Sequence, residues 1–501
     1  MLWLYLRKTY SYFKNHEINY LPPLPVVGNM GSVLFRSEHS VYHISKLYTA
    51  FPADRFVGLY EFTNKNVFLR DPELIKLIGV KDFDYFTHRR GLGNGENNVL
   101  GKSLFGLKGQ KWRDMRSTLS PAFTGSKLRG MVPLMQNCSK NLVRFLDTEI
   151  ETTKTGYLDL DTRDMFSRYT NDVIATCAFG LQVDSVAEKE NEFYKMGEKL
   201  TTLRIIQFLQ IIFNVLFPFF NKIATFEVFS KEAIGYLRSL VFSAIKNRDD
   251  NKAFRPDLIQ ILLEAKKGTL KHENLKDEKD AGFATVEEST IGKNAIKRTW
   301  DDEDLFAQAI LFFFAGFETV STAIVFLLYE LALNPDIQTK LREEIDSSYN
   351  KYSDKIDYDK INQMKYLDMV VSEGLRKWPP VPVLDRLEKD SVIGIAVWPI
   401  HHDPQYYPEP EMFDPERFSD ENKHSIKPFT YLPFGIGPRN CIGSRFALIE
   451  LKIMIFDLLR HFELSPAPNT KIPPELDPMN GLMRMRGGHW LRITSRKHKL
   501  P

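Results

Sequence analysis

The sequence is poor in cysteine, with three in 501 residues. Three cysteines cannot build the disulfide network on which small secreted proteins depend, so the composition predicts a reduced, intracellular chain. Cys138 and Cys177 stand in apolar, helix-like surroundings, which predicts that they are buried small hydrophobic side chains. Cys441 has different neighbours and requires a separate explanation.

The sequence also lacks an excess of charge of either sign. Lysine and arginine total 67 and aspartate and glutamate total 64, which gives a formal net charge of +3. This balance argues against bulk nucleic-acid binding, and no nucleic-acid partner is predicted. Hydrophobic residues make up 43% of the chain, so a large core is available and global disorder is disfavoured.

No apolar run at the start of the chain is long enough to cross a bilayer. Residues 1–6 are apolar, but a spanning helix needs about 20 such residues. No small-residue cleavage site follows, so a secretory signal is not predicted. We interpret residues 1–20 as a short N-terminal stub, and residues 21–501 as a single domain that opens with the stiff connector LPPLP.

The apolar pattern predicts a mainly α protein with a smaller β part toward the N-terminus. Residues 58–90 contain short runs typical of strands, and residues 111–250 have a mostly helical pattern. Residues 205–220 form a strongly apolar block, which is either core or a surface that dips into a membrane. The charged stretch 264–304 is predicted to be a solvated linker.

The longest apolar segment, residues 305–335, is predicted to be a buried central helix. Its length would suit a membrane span, but Glu318 and Glu330 would be costly in lipid. Acidic residues at 301–304 favour a helix start, and Pro335 favours its end. Glycine inside a helix costs about 1 kcal/mol relative to alanine, so Gly316 predicts a close approach of another group.

Cys441 lies in the loop FGIGPRNCIG, residues 434–443, just before a strong helix pattern. The free amide groups and positive dipole end of a helix N-terminus stabilise a thiolate. The glycines allow the backbone to approach a flat ligand, and Arg439 offers a cation to an anionic group on it. No second cysteine or nearby histidine completes a zinc site, so a single thiolate on haem iron fits better.

The pattern F-x-x-G-x-R-x-C-x-G, met by residues 434–443, resembles the haem-binding signature of the cytochrome P-450 family. Four further motifs occur in the family's order: WRDMR at 112–116, AGFET at 315–319, EGLR at 373–376 and PERF at 415–418. The resemblance covers nearly the whole chain. The stretches DFDYFTHR, LSPAFTGSKL and HDPQYYPEPEMFDPERF look most like insect microsomal members, of the kind that oxidise xenobiotics.

The resemblance implies a cytochrome P-450 fold, with haem b between the central long helix and the cysteine loop and with Cys441 as the axial ligand of the iron. It implies that the haem carboxylates bind to a set of basic and indole side chains: Trp112, Arg116, Arg386 and Arg439. It implies that further motif residues border the haem: Phe434, Gly437, Ala315 and Gly316.

The resemblance also assigns catalytic roles to Thr319 and Glu318, which would organise water and deliver protons during oxygen activation. The alternative for Thr319 is a hydrogen bond from its hydroxyl to a carbonyl of its own helix. The resemblance implies that Glu373, Arg376 and Arg417 are buried together as a structural triad. The alternative is an ordinary surface pair, which would contribute little to stability.

For the substrate pocket, the resemblance indicates Phe313 and Phe314 on the central helix, and Val381 and Leu384 after the EGLR helix. Ordinary core packing is the alternative for each of these four. The implied function is a haem-thiolate monooxygenase that inserts one atom of O2 into a lipophilic small molecule.

The resemblance implies that electrons come from NADPH through a flavoprotein reductase. Lys111, Arg113 and Arg445 are predicted to form part of a basic surface for that partner, and scattered solvated charges are the alternative. We expect a peripheral position on the cytoplasmic face of the endoplasmic reticulum membrane. Residues 1–20 look like only the remnant of a microsomal membrane anchor, and the apolar block at 205–220 would dock the protein on the membrane surface.

The chain departs from the family between Asp390 and His401, where the family has a longer stretch. If the shortening falls within a central strand, unpaired backbone groups and Pro399 would weaken the sheet. A haem-binding pseudoenzyme is therefore an alternative function. A haem-thiolate isomerase or dehydratase and a membrane structural protein are further alternatives. Glu318 and Thr319 disfavour the first, and the second would not require Cys441.

Overall fold

The computed structural model describes residues 2–90, 98–202, 213, 229–251, 254–268, 270, 282–286, 300–388 and 391–496. Helices dominate this part of the chain, and the strands form two small sheets. The predicted mainly α fold is therefore confirmed. The apolar block at 205–220 lies outside the described residues, except for Phe213.

The first half of the described chain contains twelve α-helices and three strands. In chain order, the helices are α1 (Leu2–Tyr10), α2 (Tyr12–Asn15), α3 (Gly31–Leu34), α4 (Ser40–Thr49), α5 (Pro72–Lys76), α6 (Val99–Lys102), α7 (Gly109–Leu119), α8 (Gly125–Thr153), α9 (Thr162–Ala178), α10 (Glu192–Thr201), α11 (Lys231–Asn251) and α12 (Leu258–Lys266). The strands are β1 (Phe56–Glu61), β2 (Asn64–Leu69) and β3 (Tyr157–Asp161).

The second half of the described chain begins with the central helix. The helices are α13 (Asp302–Leu333), α14 (Pro335–Tyr352), α15 (Tyr358–Asn362), α16 (Lys365–Lys377), α17 (Val397–His401) and α18 (Ser444–His461). The strands are β4 (Leu384–Glu388), β5 (Ser391–Ile395), β6 (Phe462–Pro466) and β7 (Trp490–Ser495). Short turns of 3₁₀-helix include Pro415–Phe418 and Gly437–Arg439.

The central helix α13 begins at a capping box. The side chain of Asp301 accepts a hydrogen bond from the Asp304 amide at 2.6 Å, and the Asp304 carboxylate accepts one from the Asp301 amide. Among the described helices, α13 is the one long and apolar enough to cross a membrane. It is instead mostly buried, because α6, α9, α16 and α18 pack around it.

The larger sheet has the strand order β1-β2-β5-β4, with β2 parallel to β5 and the other pairs antiparallel. The smaller sheet has the order β3-β7-β6. Strands from the second half of the chain thus complete both sheets, whereas the sequence predicted the β part only toward the N-terminus. A separate apolar cluster lies between the larger sheet and α4, α5 and α17.

The structure corrects the expectation of a damaged sheet at residues 391–400. Strand β5 pairs with β2 on one edge and with β4 on the other, in register from Ser391↔Glu388 to Ile395↔Leu384. Pro399 lies in α17, after the strand has ended. Within the described residues, the shortened stretch therefore still supplies a strand that is paired on both edges.

The stretch 264–304 is also not a uniform solvated linker. Residues 264–266 belong to α12, residues 302–304 open α13, and residues 282–286 pack against the body of the protein. Leu270 also contacts the main apolar core. The sequence prediction rested on the high charge of the stretch as a whole, which does not show that parts of it are packed.

Candidate functional site

The structure contains a largely apolar cavity between α13 and the loop that carries Cys441. One wall is formed by residues of α13: Leu311, Phe312, Ala315, Gly316, Thr319, Val320 and Ala323. The opposite wall is formed by the cysteine loop and the start of α18: Pro433–Gly435, Arg439–Gly443, Phe446, Ala447 and Leu451. The two most specific sequence motifs, AGFET and FGIGPRNCIG, therefore face each other.

The cysteine loop is held in a sharply turned shape before α18. Gly435 and Gly437 have φ values of +79° and +66°, in the region that favours glycine. A methyl group at Gly437 would also overlap the Gly79 carbonyl. The Cys441 amide donates to the Phe434 carbonyl at 2.8 Å, and Cys441 itself is exposed to the cavity.

Cys441 lies three residues before Ser444, the first residue of α18. The amino end of this 18-residue helix supplies the unpaired amide groups and the partial positive charge that stabilise a thiolate. Gly443 has a φ of −93°, so its backbone does not require glycine, unlike that of Gly435 and Gly437.

Four arginines lie beside the cysteine loop. Arg89, Arg116 and Arg439 line the cavity, and Arg386 donates to a carbonyl of the loop at 3.0 Å. Burial is the largest cause of a lowered pKa for Arg386, to about 9, and for Arg439, to about 8. Repulsion from Arg89 lowers both values further, and Asp385 offsets only part of it. The cluster thus has more buried positive charge than its protein neighbours neutralise.

These arginines fit a ligand that carries carboxylates. The Nε atoms of Arg89 and Arg386 are buried without a hydrogen-bond partner among the described residues. An unpartnered buried donor is costly, and a charge-assisted bond to a carboxylate removes the cost. The carboxylates of a flat macrocycle such as haem b would supply acceptors to this cluster, of which Arg89, Arg116 and Arg439 line the same cavity as Cys441.

Arg89 was missed by the sequence analysis, although it directly follows His88 in the stretch DFDYFTHR. Arg90, the next residue, forms a half-buried ion pair with Glu61, whereas Arg89 donates to the Arg439 carbonyl at 2.8 Å and lines the cavity. Nothing in the local sequence distinguishes the two arginines, so only the packing of the loop identifies the inner one.

Trp112 and Arg116, one turn apart on α7, reach the cysteine loop. Arg116 donates to the Asn440 carbonyl at 2.9 Å and to its side-chain oxygen at 2.6 Å. The Arg439 guanidinium lies 4.2 Å from the centre of the Trp112 ring, and its donors also reach the Leu107 carbonyl at 2.6 Å. Arg439 also donates to the Thr87 and Leu104 carbonyls, at 3.0 and 3.1 Å, so it holds these backbone groups in addition to facing the cavity.

Ala315, Gly316 and Thr319 all reach the cavity from α13. The Thr319 hydroxyl donates to the Ala315 carbonyl at 2.6 Å, which is the local bond predicted as the alternative role of this threonine. At Gly316 the close neighbour is Ile174 of α9, whose end methyl a side chain at 316 would overlap. The absence of a side chain at Gly316 thus allows α13 and α9 to pack closely.

Glu318 does not reach the cavity, in contrast to the sequence prediction of a proton-delivering acid beside Thr319. Its carboxylate pairs with Arg163 of α9 and lies 3.4 Å from an Nη of Arg484. One residue along a helix rotates the side chain by about 100°, so Thr319 and Glu318 point to different surroundings. Burial lowers the pKa of Arg163, and the charge of Glu318 opposes that effect.

Two of the four predicted pocket residues face elsewhere. Phe313 packs against Phe179, Phe193 and Phe317, and Phe314 packs against Phe229. Neither is among the described residues that line the cavity. Val381 and Leu384 do border it, and Leu311 and Phe312 of α13 occupy the places predicted for the two phenylalanines.

The predicted structural triad is assembled and buried. Arg376 donates to both carboxylate oxygens of Glu373, at 2.7 and 2.9 Å, and both side chains are fully buried. Arg417 lies 3.6 Å from the same carboxylate. Arg376 also donates to the His401 and Pro410 carbonyls at 2.7 Å each, so the triad joins α16 to the end of α17 and the segment that follows it.

Comparison with known proteins agrees with this geometry. A family model described as cytochrome P-450 matches residues 19–491. The chain is 42% identical to cytochrome P-450 9e2 of Blattella germanica, over 98% of this chain and 95% of the relative. It is 39% identical to a probable cytochrome P-450 9f2 of Drosophila melanogaster, over 97% and 95%, and 35% identical to cytochrome P-450 6k1 of Blattella germanica, over 97% and 93%.

Proposed function

Because the chain belongs to the cytochrome P-450 family, we propose that it oxidises a small lipophilic molecule, a xenobiotic or an endogenous lipid, held against the cavity wall of α13. The protein is an oxidoreductase of the haem-thiolate monooxygenase class. Its cofactor is haem b, and its reaction uses O2 and electrons derived from NADPH. The observation that carries the proposal is the apolar cavity that joins the AGFET wall to Cys441.

Cys441 would hold the haem iron, and the predicted set of Trp112, Arg116, Arg386 and Arg439, joined by Arg89, would bind its carboxylates. When bound, a thiolate-ligated haem supplies the activation of O2 from which one oxygen atom is inserted into the substrate. The protein contributes orientation, exclusion of water and protons. Of the two predicted catalytic residues, Thr319 is the one whose hydroxyl can bind a group in the cavity. To do so, the hydroxyl must break its hydrogen bond to the Ala315 carbonyl.

Glu318 takes a positioning role in this proposal. Its ion pair with Arg163 fixes the middle of α13 against α9, on the turn that carries Thr319. We place the substrate against Leu311, Phe312, Val381 and Leu384, because apolar area and shape are what such a surface can recognise.

The redox partner is proposed to be an NADPH-dependent flavoprotein reductase that docks on the Cys441 side. Lys111, Arg113 and Arg445 lie on α7 and at the start of α18, which both border this side. Arg113 also pairs with Asp84 at 2.6 Å, in an exposed position where such a pair contributes little. The three cations therefore support electrostatic docking of an acidic partner surface.

Association with the cytoplasmic face of the endoplasmic reticulum membrane is the proposed location. Helix α1 exposes Trp3, Leu4 and Tyr5 and carries Arg7 and Lys8 in its last turn. Exposed aromatic and apolar side chains beside cations are typical of a helix that lies in a membrane interface.

The proposal is tested by the carbon monoxide difference spectrum of the reduced protein, followed by NADPH-dependent turnover with added reductase. We expect a strongly red-shifted Soret band and oxidised product from lipophilic test compounds. Cys441→Ala should lose the red-shifted band, and Cys177→Ala, a second cavity cysteine, should keep it. Bound haem with the red-shifted band but no product from any substrate would indicate the pseudoenzyme instead.

A further inference from the structure

Residues 282–286, which we call the docking segment, lie against the side of the protein that carries the cysteine loop. The Phe283 amide donates to the Asp368 carboxylate at 2.9 Å, near the start of α16. The Thr285 amide donates to the Gly282 carbonyl at 3.2 Å, which closes a tight turn. Ala284 is 4% exposed and belongs to the main apolar core.

Gly282 is required where the docking segment meets Asp368. Its φ is +98°, and a methyl group there would overlap the Asp368 carboxylate. The same carboxylate lies 2.9 Å from the Lys452 ammonium, whose side chain is fully buried and also reaches Asn362 at 3.2 Å. The segment thus sits on a buried ion pair that links α15, α16 and α18.

Phe283 inserts into an aromatic cluster with Phe418 and Tyr431. Its ring centre lies 5.0 Å from that of Phe418 and 5.4 Å from that of Tyr431. The Phe418 and Tyr431 rings are themselves 5.1 Å apart. The three rings therefore form a closed set of contacts at separations typical of favourable aromatic pairs.

Tyr431 connects this cluster to the cysteine loop. Its hydroxyl donates to the Ser372 carbonyl at 2.9 Å, and its ring stacks on His401. His401 in turn accepts a hydrogen bond from the Leu432 amide at 2.8 Å. Phe434, two residues further on, accepts the bond from the Cys441 amide. The docking segment is therefore linked through Tyr431 and its neighbours to the residue that bears the thiolate.

We propose that residues 282–286 are an intrachain positioning element that holds the Tyr431–Phe434 stretch, and through it Cys441, in the geometry for thiolate ligation. Residues 282–286, which lie between α12 and α13 in the sequence, then act on the cysteine loop. Phe283 and Gly282 are positioning residues, since neither is among the described side chains and backbone groups that line the cavity. The inference rests on the proposed haem-thiolate site.

The test compares four variants of the full-length haem-loaded protein. Phe283→Ala removes the aromatic contacts, and Phe254→Ala is its control, because Phe254 is 70% exposed. Gly282→Ala adds a methyl group against Asp368. Its control is Gly268→Ala, at a similar left-handed glycine with φ +67° and open space around it.

The readout is the fraction of haem that gives the red-shifted band with carbon monoxide, with far-ultraviolet circular dichroism as the check on folding. We expect this fraction to fall several-fold in Phe283→Ala and Gly282→Ala, with the secondary structure retained, and to stay at the wild-type level in both controls. A lower unfolding temperature with an unchanged thiolate fraction would show a merely structural role and overturn the proposal.

If Phe283→Ala yields no folded protein, Phe283→Leu is used to test the proposal. It retains apolar volume without the ring, so an intermediate thiolate fraction is expected, and a wild-type fraction would contradict the proposal. Because the readout is haem ligation, it does not depend on whether a substrate or reductase has been found, and its failure is distinct from a failure of the proposed function.

Discussion

At the scale of single residues, the burial of the charged Arg386 side chain destabilises the haem-free protein. Its guanidinium is buried, its pKa is lowered to about 9, and its Nε has no partner among the described residues. We expect Arg386→Leu to weaken haem binding by about 10–100-fold, because a hydrogen bond to a charged group contributes about 1.5–3 kcal/mol. The haem-free variant should be more stable than the haem-free wild type.

Haem titration and urea unfolding of the haem-free proteins would measure the two effects. Arg90→Leu is the matched control, since it removes the same charge from a residue that pairs with Glu61 outside the cavity. Equal haem affinity of Arg386→Leu and the wild type would contradict the assignment of Arg386 as a carboxylate ligand.

Glu450 of α18 is a fully buried carboxyl whose two oxygens lack hydrogen-bond partners within the described part of the chain. Burial raises its pKa well above the ordinary value, so the folded state holds the proton more tightly than the unfolded state. Its contribution to stability is therefore full below the unfolded pKa of about 4.3 and is lost as the pH rises toward the folded pKa, by about 1.4 kcal/mol per pH unit.

Glu450→Gln removes this titration while preserving the shape of the side chain. The free energy of unfolding of the variant, relative to the wild type, should increase as the pH rises from about 5 to 8. Urea unfolding of both proteins at several pH values measures this difference in unfolding free energy. A difference that is the same at every pH would mean that Glu450 is not protonated in the folded protein.

At the scale of elements, the Glu373–Arg376–Arg417 triad joins α16 to the region before the cysteine loop. Glu373→Gln leaves Arg376 buried with its charge uncompensated, which should cost about 3–5 kcal/mol of unfolding free energy. Lys365→Ala, which breaks an exposed pair with Asp420 at the start of the same helix, should cost far less, because water screens an exposed pair. Similar losses in both variants, measured by urea unfolding, would exclude a special role for the buried triad.

The contact between α13 and α9 at Gly316 can be measured as a coupling. Gly316→Ala would place a methyl group against the end methyl of Ile174, which Ile174→Val removes. The alanine should therefore be tolerated better in the Ile174→Val background, with a coupling energy of about 0.5–3 kcal/mol in thermal unfolding. Additive effects would show that α9 does not limit the side chain at 316.

For the whole molecule, haem binding is expected to be coupled to folding. The cavity wall combines α13, α16 and the cysteine loop, which unfolding would separate. Each tenfold increase in free haem above the dissociation constant should raise the unfolding free energy by about 1.4 kcal/mol. Thermal melts across a haem series would test this, and a midpoint independent of haem would mean that the unfolded chain binds it equally well.

The sequence was sufficient for the family, the mainly α fold and the position of Cys441, because each of these depends on residues close together along the chain. The sequence did not predict which side chains of α13 face the cavity. That helix is apolar on nearly all sides, so periodicity does not show which face borders the cavity. Phe312 and Phe313, or Thr319 and Glu318, can be distinguished only once the neighbouring helices are placed.

The burial of α13 has a consequence for how the protein is made. The helix ends at Leu333, but α18, which covers part of it, begins only at Ser444, 111 residues later. At about 5–20 residues per second, a ribosome needs about 6–22 s to cover that distance. During this interval the nascent chain exposes a stretch as apolar as a membrane span. The yield of folded protein will therefore depend on chaperones that shield this stretch, and on the stretch escaping insertion into a bilayer.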